Sequence, residues 1–228
     1  MKALWNLILP SRKGRVDLGD LRSLRPVSET FGQDRGTPIR RYYIERFLQQ
    51  ERNAIRGRVL EVGDDRYAKQ YGQAGTAIEV LDPDPASRVA TVVGDLVTGA
   101  GVPKRRYDAI IMTQVLHVLP DMPAALRTAA HALLPGGSLL ATIPCISQVS
   151  RFDMDRWGDY WRVTDRGART LFEAAFERER LAVRSFGNVL TAIASLAGLA
   201  AEELTSAELD AADPNYQVLI AVHARMAP

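Results

Sequence analysis

Apolar and polar positions alternate along most of the chain, and their period changes with position. In "TPIRRYYIERFLQQER", Ile39, Tyr43 and Phe47 recur at i, i+4 and i+8, one apolar face that predicts a helix. Thr37 is its expected cap and Pro38 its first helical residue. Short apolar runs rich in β-branched residues follow: "GRVLEVG" (57–63), "TAIEVLD" (76–82), "ATVVGDL" (90–96), "YDAIIMTQ" (107–114) and "SLLATIP" (138–144). Between the last two, "MPAALRTAAHALL" puts Met122, Leu126, Ala129 and Leu133 on one helical face. Near-continuous apolar strands separated by helices predict a parallel sheet covered on both faces. Farther on, "RTLFEAAF" reads as helix and "RLAVRSFG" (180–187) as strand. "NVLTAIASLAGLAAEEL" reads as one amphipathic helix capped by Asn188, and "YQVLIAVHARM" (216–226) as a closing strand. The expectation is one α/β domain over 1–228, with an N-terminal arm and cap helix (1–56), a core (57–144) and a more irregular last third (145–228).

Composition narrows the partners little. The 228 residues carry a net charge of +2, too near balance to predict a nucleic-acid partner. Only four of the 29 basic residues are lysine, which fits codon bias better than anion binding. Arg12, Lys13, Arg15, Arg22 and Arg25 read as a solvated arm. Cys145 is the only cysteine, so no internal disulfide forms and a reducing cytoplasm is expected. The three histidines lie far apart and no metal is expected. The apolar run in "MKALWNLILPSRKGR" is too short to span a bilayer and lacks the cleavage site of a signal peptide. It reads as a segment packed on the domain, with a membrane surface or a partner as the alternative.

In an open α/β sheet ligands sit outside the carboxyl ends of the strands. Glu61 to Arg66, Glu79 to Asp82, Asp95 with Leu96, and Thr113, Gln114 and His117 then converge on one crevice. Glu79 lies eighteen residues beyond Glu61, the spacing of an acid that accepts both hydroxyls of a ribose. "GDDRYAKQYG" places Asp64 and Asp65 where a dinucleotide's diphosphate would need free amides and little negative charge. S-adenosylmethionine (SAM) has no phosphate; it has a sulfonium, an ammonium and a carboxylate. Acids around the first loop match its cations, and Arg66 or a loop amide matches its carboxylate. Loop chemistry therefore favours SAM over NAD.

The ordered set "VLEVG", "IEVLD", "VVGDL", "YDAIIMTQVLHVLPD" and "LLPGGSLLATIP" resembles the class I SAM-dependent methyltransferases. The resemblance covers about Arg58 to Pro144. It implies a Rossmann-like sandwich: a seven-stranded, mostly parallel sheet, an antiparallel last strand, helices on both faces and an N-terminal helical cap. By the same resemblance, Glu61 and Gly63 frame the methionine portion of SAM, with Asp64 and Asp65 beside them. Glu79 and the adjoining Val80 meet the ribose, and Asp95 and Leu96 the adenine. Thr113, Gln114 and His117 lie beside the methionine and the reacting methyl group, and Tyr42 or Arg35 closes over the cofactor. Residues 57–144 become the SAM-binding core and 145–228 the substrate side. S-adenosylhomocysteine (SAH) is the expected product. The flanks "FGQDRGTPIRRYYIERFL" and "ISQVSRFDMDRWGDYWR" resemble small bacterial methyltransferases of glycan or natural-product biosynthesis. Arg40 stands where that group usually carries an aspartate.

For chemistry, His117 reads equally as a general base or as a packed residue, and Asp155 and Asp159 are further acid–base candidates. Trp157, Tyr160 and Trp161 suit stacking on a sugar or aromatic acceptor. The expectation is methyl transfer to a small-molecule or glycan acceptor, on oxygen rather than nitrogen, by a monomer or homodimer without a nucleic-acid partner. The rival readings are a catalytically silent SAM-fold partner of a biosynthetic enzyme and a nucleotide-linked oxidoreductase. Binding of SAM or of NAD separates them.

Overall fold

The computed structural model describes residues 19–228. The apolar N-terminal run, with Arg12, Lys13 and Arg15, lies outside the described residues. Seven strands form one sheet in the order β3-β2-β1-β4-β5-β7-β6. They are β1 Arg58–Val62, β2 Ala77–Asp82, β3 Val92–Val93, β4 Tyr107–Thr113, β5 Leu133–Pro144, β6 Leu181–Phe186 and β7 Leu219–Arg225. β7 alone runs against its neighbours, pairing antiparallel with both β5 and β6; the other pairs are parallel. This is the Rossmann-like sandwich expected of a class I methyltransferase.

The helices are α1 Ile39–Gln50, α2 Arg66–Tyr71, α3 Met122–Ala132, α4 Arg151–Met154, α5 Asp165–Phe172, α6 Val189–Ala197 and α7 Ser206–Asp210. Successive strand residues face opposite sides of the sheet. Ile110 and Met112 therefore join a core with Leu126 and Phe172. Ile111 joins the other core, with Phe47, Leu48 and Ala192. Each such aliphatic side chain contributes about 1.5–3 kcal/mol when fully buried.

The boundaries differ from the expectation in four places. Pro38, not Thr37, stands at the cap of α1, and no side chain caps it. The Thr37 backbone is held elsewhere: its carbonyl accepts from Ala201 N and its amide donates to Glu202 Oε2. β3 is only two residues long, because Gly94 leaves the sheet for the turn that Asp95 caps. α3 stops at Ala132 and "LLPGG" already belongs to β5. The helix from Asn188 breaks at Gly198, which has φ +77°. A side chain at Gly198 would overlap the Ser28 carbonyl, and Val27 and Ser28 both donate to Ala197 O there. That break docks the N-terminal arm on the sandwich. The Asn188 cap is present, with its side chain accepting from Thr191 N at 3.0 Å.

Candidate functional site

A cavity of about 730 Å³ opens where β1 and β4 end. Its walls come from the first loop (Asp64, Arg66, Tyr67), the end of β4 (Thr113, Gln114, His117) and the start of α1 (Arg40, Arg41). The segments around Phe31 and Ser150 close it. Among the described residues three non-glycines have φ in the left-handed region, and two of them, Phe31 (+60°) and Gln114 (+55°), line this cavity. Such residues persist only where their surroundings hold them. Gln114 is held by its amide on Thr142 O at 3.0 Å. The Phe31 turn is held by Ser28 Oγ, which accepts from Thr30 N and Gly32 N, both at 3.1 Å.

Glu61 is buried beneath the loop. It accepts from Tyr67 N at 3.1 Å and Ala68 N at 2.7 Å, so it anchors the first turn of α2. Burial pushes its carboxyl up to about 8, against the pull of those two amides. Gly63 turns the chain at φ +92° with open space beside it. Asp64 faces the cavity and also takes Arg66 N at 3.1 Å. Asp65 is turned away and pairs with Lys69 at 2.6 Å.

Glu79 is not at a strand end. It is the third residue of β2, level with Leu60, and its carboxylate points back toward the start of β1 and β4. Arg106 grips it (2.6 and 3.1 Å), Tyr107 Oη donates to it at 2.8 Å, and Arg58 lies 3.8 Å away. Arg106 holds its carboxyl below the ordinary range. Glu79, expected at the ribose, stands in an ion pair with Arg106. Val80 is buried inside the sheet, with its amide on Thr91 Oγ1. The acid that does end β2 is Asp82, beside Gly63, whose amide donates to Leu81 O. Asp82 Oδ1 takes Asp84 N at 2.9 Å. Asp95 caps its own turn through Val97 N at 2.7 Å, and Leu96 is buried in the core.

Tyr42, expected over the cofactor, lies outside the cavity, with its hydroxyl on Asp210 Oδ1 at 2.9 Å. Asp155 is exposed at the end of α4 and does not reach the cavity. Asp159 does reach it, but as one half of an ion pair. Arg162 binds it at 2.5 and 2.8 Å, and Ser150 N donates to it at 2.9 Å. Arg162 holds its carboxyl low, so it is a poor proton acceptor. Trp157, Tyr160 and Trp161 are exposed and outside the cavity wall. Tyr160 N donates to His117 O, and Trp161 Nε1 to Leu119 O. These bonds pin the segment against the turn that carries His117.

His117 is buried on the cavity wall, and its Nδ1 has no hydrogen-bond partner. Burial pushes its pKa down to about 4, so the ring is neutral at physiological pH. Arg40 was not foreseen as part of the wall. Its Nη1 donates to Ser147 Oγ and its Cζ lies 4.7 Å from the centre of the Phe31 ring. Burial, and after it the charge of Arg162, pushes Arg40 down to about 10. Among the described residues, no group of three or more His, Cys, Asp or Glu is placed to hold a metal ion. Nor is any helix there long and apolar enough to cross a membrane.

Residues 37–181, which include most of these elements, match the sequence model of a methyltransferase domain. The chain belongs to the class I SAM-dependent methyltransferase family. The chain has structural counterparts at low identity. A SAM-dependent methyltransferase from Archaeoglobus fulgidus aligns over 81% of this chain and 93% of its own, at 13% identity and TM-score 0.52. The N-methyltransferase NodS from Bradyrhizobium japonicum, solved with SAH, aligns over 85% and 90%, at 16% and 0.50. The [4+2]-cyclase SpnF aligns over 85% and 84%, at 17% and 0.53. Likeness at this level establishes the fold, and the cyclase is a reminder that fold alone does not fix the reaction. No curated protein matches the chain in sequence. SAM is the cofactor of the family.

Proposed function

We propose that the protein transfers the methyl group of SAM to a hydroxyl of a small-molecule or glycan acceptor. The observation that carries this is the single cavity joining the first-loop residues Asp64 and Arg66 to His117 beyond β4. The donor set fits the cofactor. Asp64 offers a carboxylate to an ammonium and Arg66 a guanidinium to a carboxylate on the wall, and Asp82, outside the wall at the end of β2, an oxygen to a ribose diol. Gly63 leaves room for close approach of backbone and ligand. When bound, SAM supplies a methyl group on a positively charged sulfur that departs as a neutral thioether.

The chain's own residues then position and deprotonate. Glu61 and the amides of Tyr67 and Ala68 keep the loop in place beneath the cofactor. Thr113 and Gln114 shape the floor, with Gln114 fixed by Thr142. His117 is a free base throughout the neutral range and is placed to take the hydroxyl proton as the oxygen attacks; with its pKa pushed down to about 4 it is a weak base, so positioning carries most of the rate. Five arginines on the wall (Arg40, Arg41, Arg66, Arg151 and Arg162) against four carboxylates (Glu29, Asp64, Asp153 and Asp159) disfavour binding of an amine acceptor in its protonated form, which supports oxygen over nitrogen. Trp157, Tyr160 and Trp161 flank this segment on the outside and suit the part of a glycan that extends beyond the cavity. The reading is tested by incubating the protein with methyl-labelled SAM and a panel of sugar and phenolic acceptors. Label in a base-stable ether product is expected, and its absence from every acceptor class would count against the reading.

A further inference from the structure

We propose that the acceptor carries an anionic group, a phosphate or a carboxylate, and that Arg40 recognises it. The inference rests on the methyl-transfer reading and names the acceptor class. Arg40 sits in the first turn of α1, on the wall of the cavity. Among the described residues no carboxylate lies within ion-pair distance of it. Of its five N–H donors, only one at Nη1 is used, on Ser147 Oγ.

Two wall carboxylates, Asp153 and Asp159, bear on Arg40 through their charge, but neither lies within ion-pair distance of it. Asp159 is clasped from both oxygens by Arg162, and Arg162 adds its own positive field at Arg40. Arg40 is half-buried on the cavity wall, and a guanidinium there with no carboxylate at ion-pair distance is placed to take its counter-charge from a ligand. Its setting suits an anion: one face rests on Phe31, and the remaining edge is a planar fork matched to carboxylate or phosphate oxygens. Phe31 is itself held in a left-handed turn by the Ser28 bonds, so the platform is set before any ligand arrives. Asp64, the acid of the first loop, makes no ion pair with Arg40.

The test is titration of the SAH-saturated protein with inorganic phosphate and with acetate, at constant ionic strength, for the parent, Arg40→Gln and Arg40→Lys. Saturable binding of one anion to the parent is expected, weakened about tenfold or more in Arg40→Gln and partly kept in Arg40→Lys. Which anion binds identifies the acceptor class. SAH affinity should change less than about threefold in either variant. Equal anion binding by the parent and Arg40→Gln, or none by the parent, overturns the proposal. Tenfold loss of SAH affinity in Arg40→Gln, with SAH displacing phosphate, assigns Arg40 to the cofactor's carboxylate and overturns it too. Failure of the folded parent to bind SAH rejects the methyl-transfer reading instead. Anion titration of the ligand-free protein then still reads Arg40 alone.

Discussion

The Arg162 guanidinium closes on both oxygens of Asp159, Nη1 to Oδ1 at 2.5 Å and Nη2 to Oδ2 at 2.8 Å. The Asp159 side chain is fully shielded and that of Arg162 is 26% exposed. Arg162 also donates to Gln148 O at 2.7 Å, so the pair ties both ends of the cavity-lining segment together. Asp159→Asn should cost about 2 kcal/mol, the low end for a buried pair because Arg162 is partly solvated. Urea unfolding measures it. Since the folded carboxyl lies below its ordinary value, the pair's contribution is present above about pH 4 and is lost as pH falls through the depressed folded value.

The two acids of β2 should separate cleanly. Glu79→Gln breaks the clasp of Arg106 and lowers the unfolding midpoint, but leaves SAH affinity within about threefold. Asp82→Ala should weaken SAH about tenfold or more while unfolding near the parent midpoint. Calorimetric titration of both variants checks this. The opposite pattern would restore Glu79 as the ribose ligand.

His117 makes a prediction about acid. Its folded pKa is pushed down to about 4 from the ordinary 6.5. Between those values the unfolded chain takes up a proton that the folded ring refuses. Stability therefore falls as pH drops through that window, by about 3 kcal/mol in all, and levels off below it. Titration of the ring by NMR should show a midpoint near 4, and His117→Asn should remove this part of the acid sensitivity.

What could be read from the sequence, and what could not, follows from the range of the forces involved. Strands such as Tyr107–Thr113 and the Asn188 cap are written in local periodicity and turn chemistry, and both are present. So is the succession of strand ends that gathers Asp64, Thr113, Gln114 and His117 in one cavity. Glu79 was misplaced because spacing along the chain does not reveal register. Only the pairing of Leu60 with Glu79 shows that it stops short of the carboxyl end. Asp82, the last residue of the run "TAIEVLD", was the available signal. The Tyr42 bond to Asp210, the Asp159 pair with Arg162 and the exposure of Asp155 depend on packing that local sequence does not show. Arg40 was visible only as a departure from a motif; its freedom from carboxylates is a tertiary fact.

Gly198 tests how the arm is docked. Its φ of +77° and the Ser28 carbonyl beside it leave no room for a side chain. Gly198→Ala should cost at least about 1 kcal/mol from backbone strain alone. It should also speed hydrogen exchange at Val27 and Ser28, whose amides bond Ala197 O.

The most direct test of the whole account is isothermal titration of ligand-stripped protein with SAM, SAH and NAD, for the parent and Asp82→Ala. The account predicts micromolar binding of SAM and SAH by the parent, none of NAD, and a tenfold or greater loss in Asp82→Ala, at about 1.4 kcal/mol per decade. A folded parent that ignores SAM and SAH, or that binds NAD more tightly than either, would contradict it.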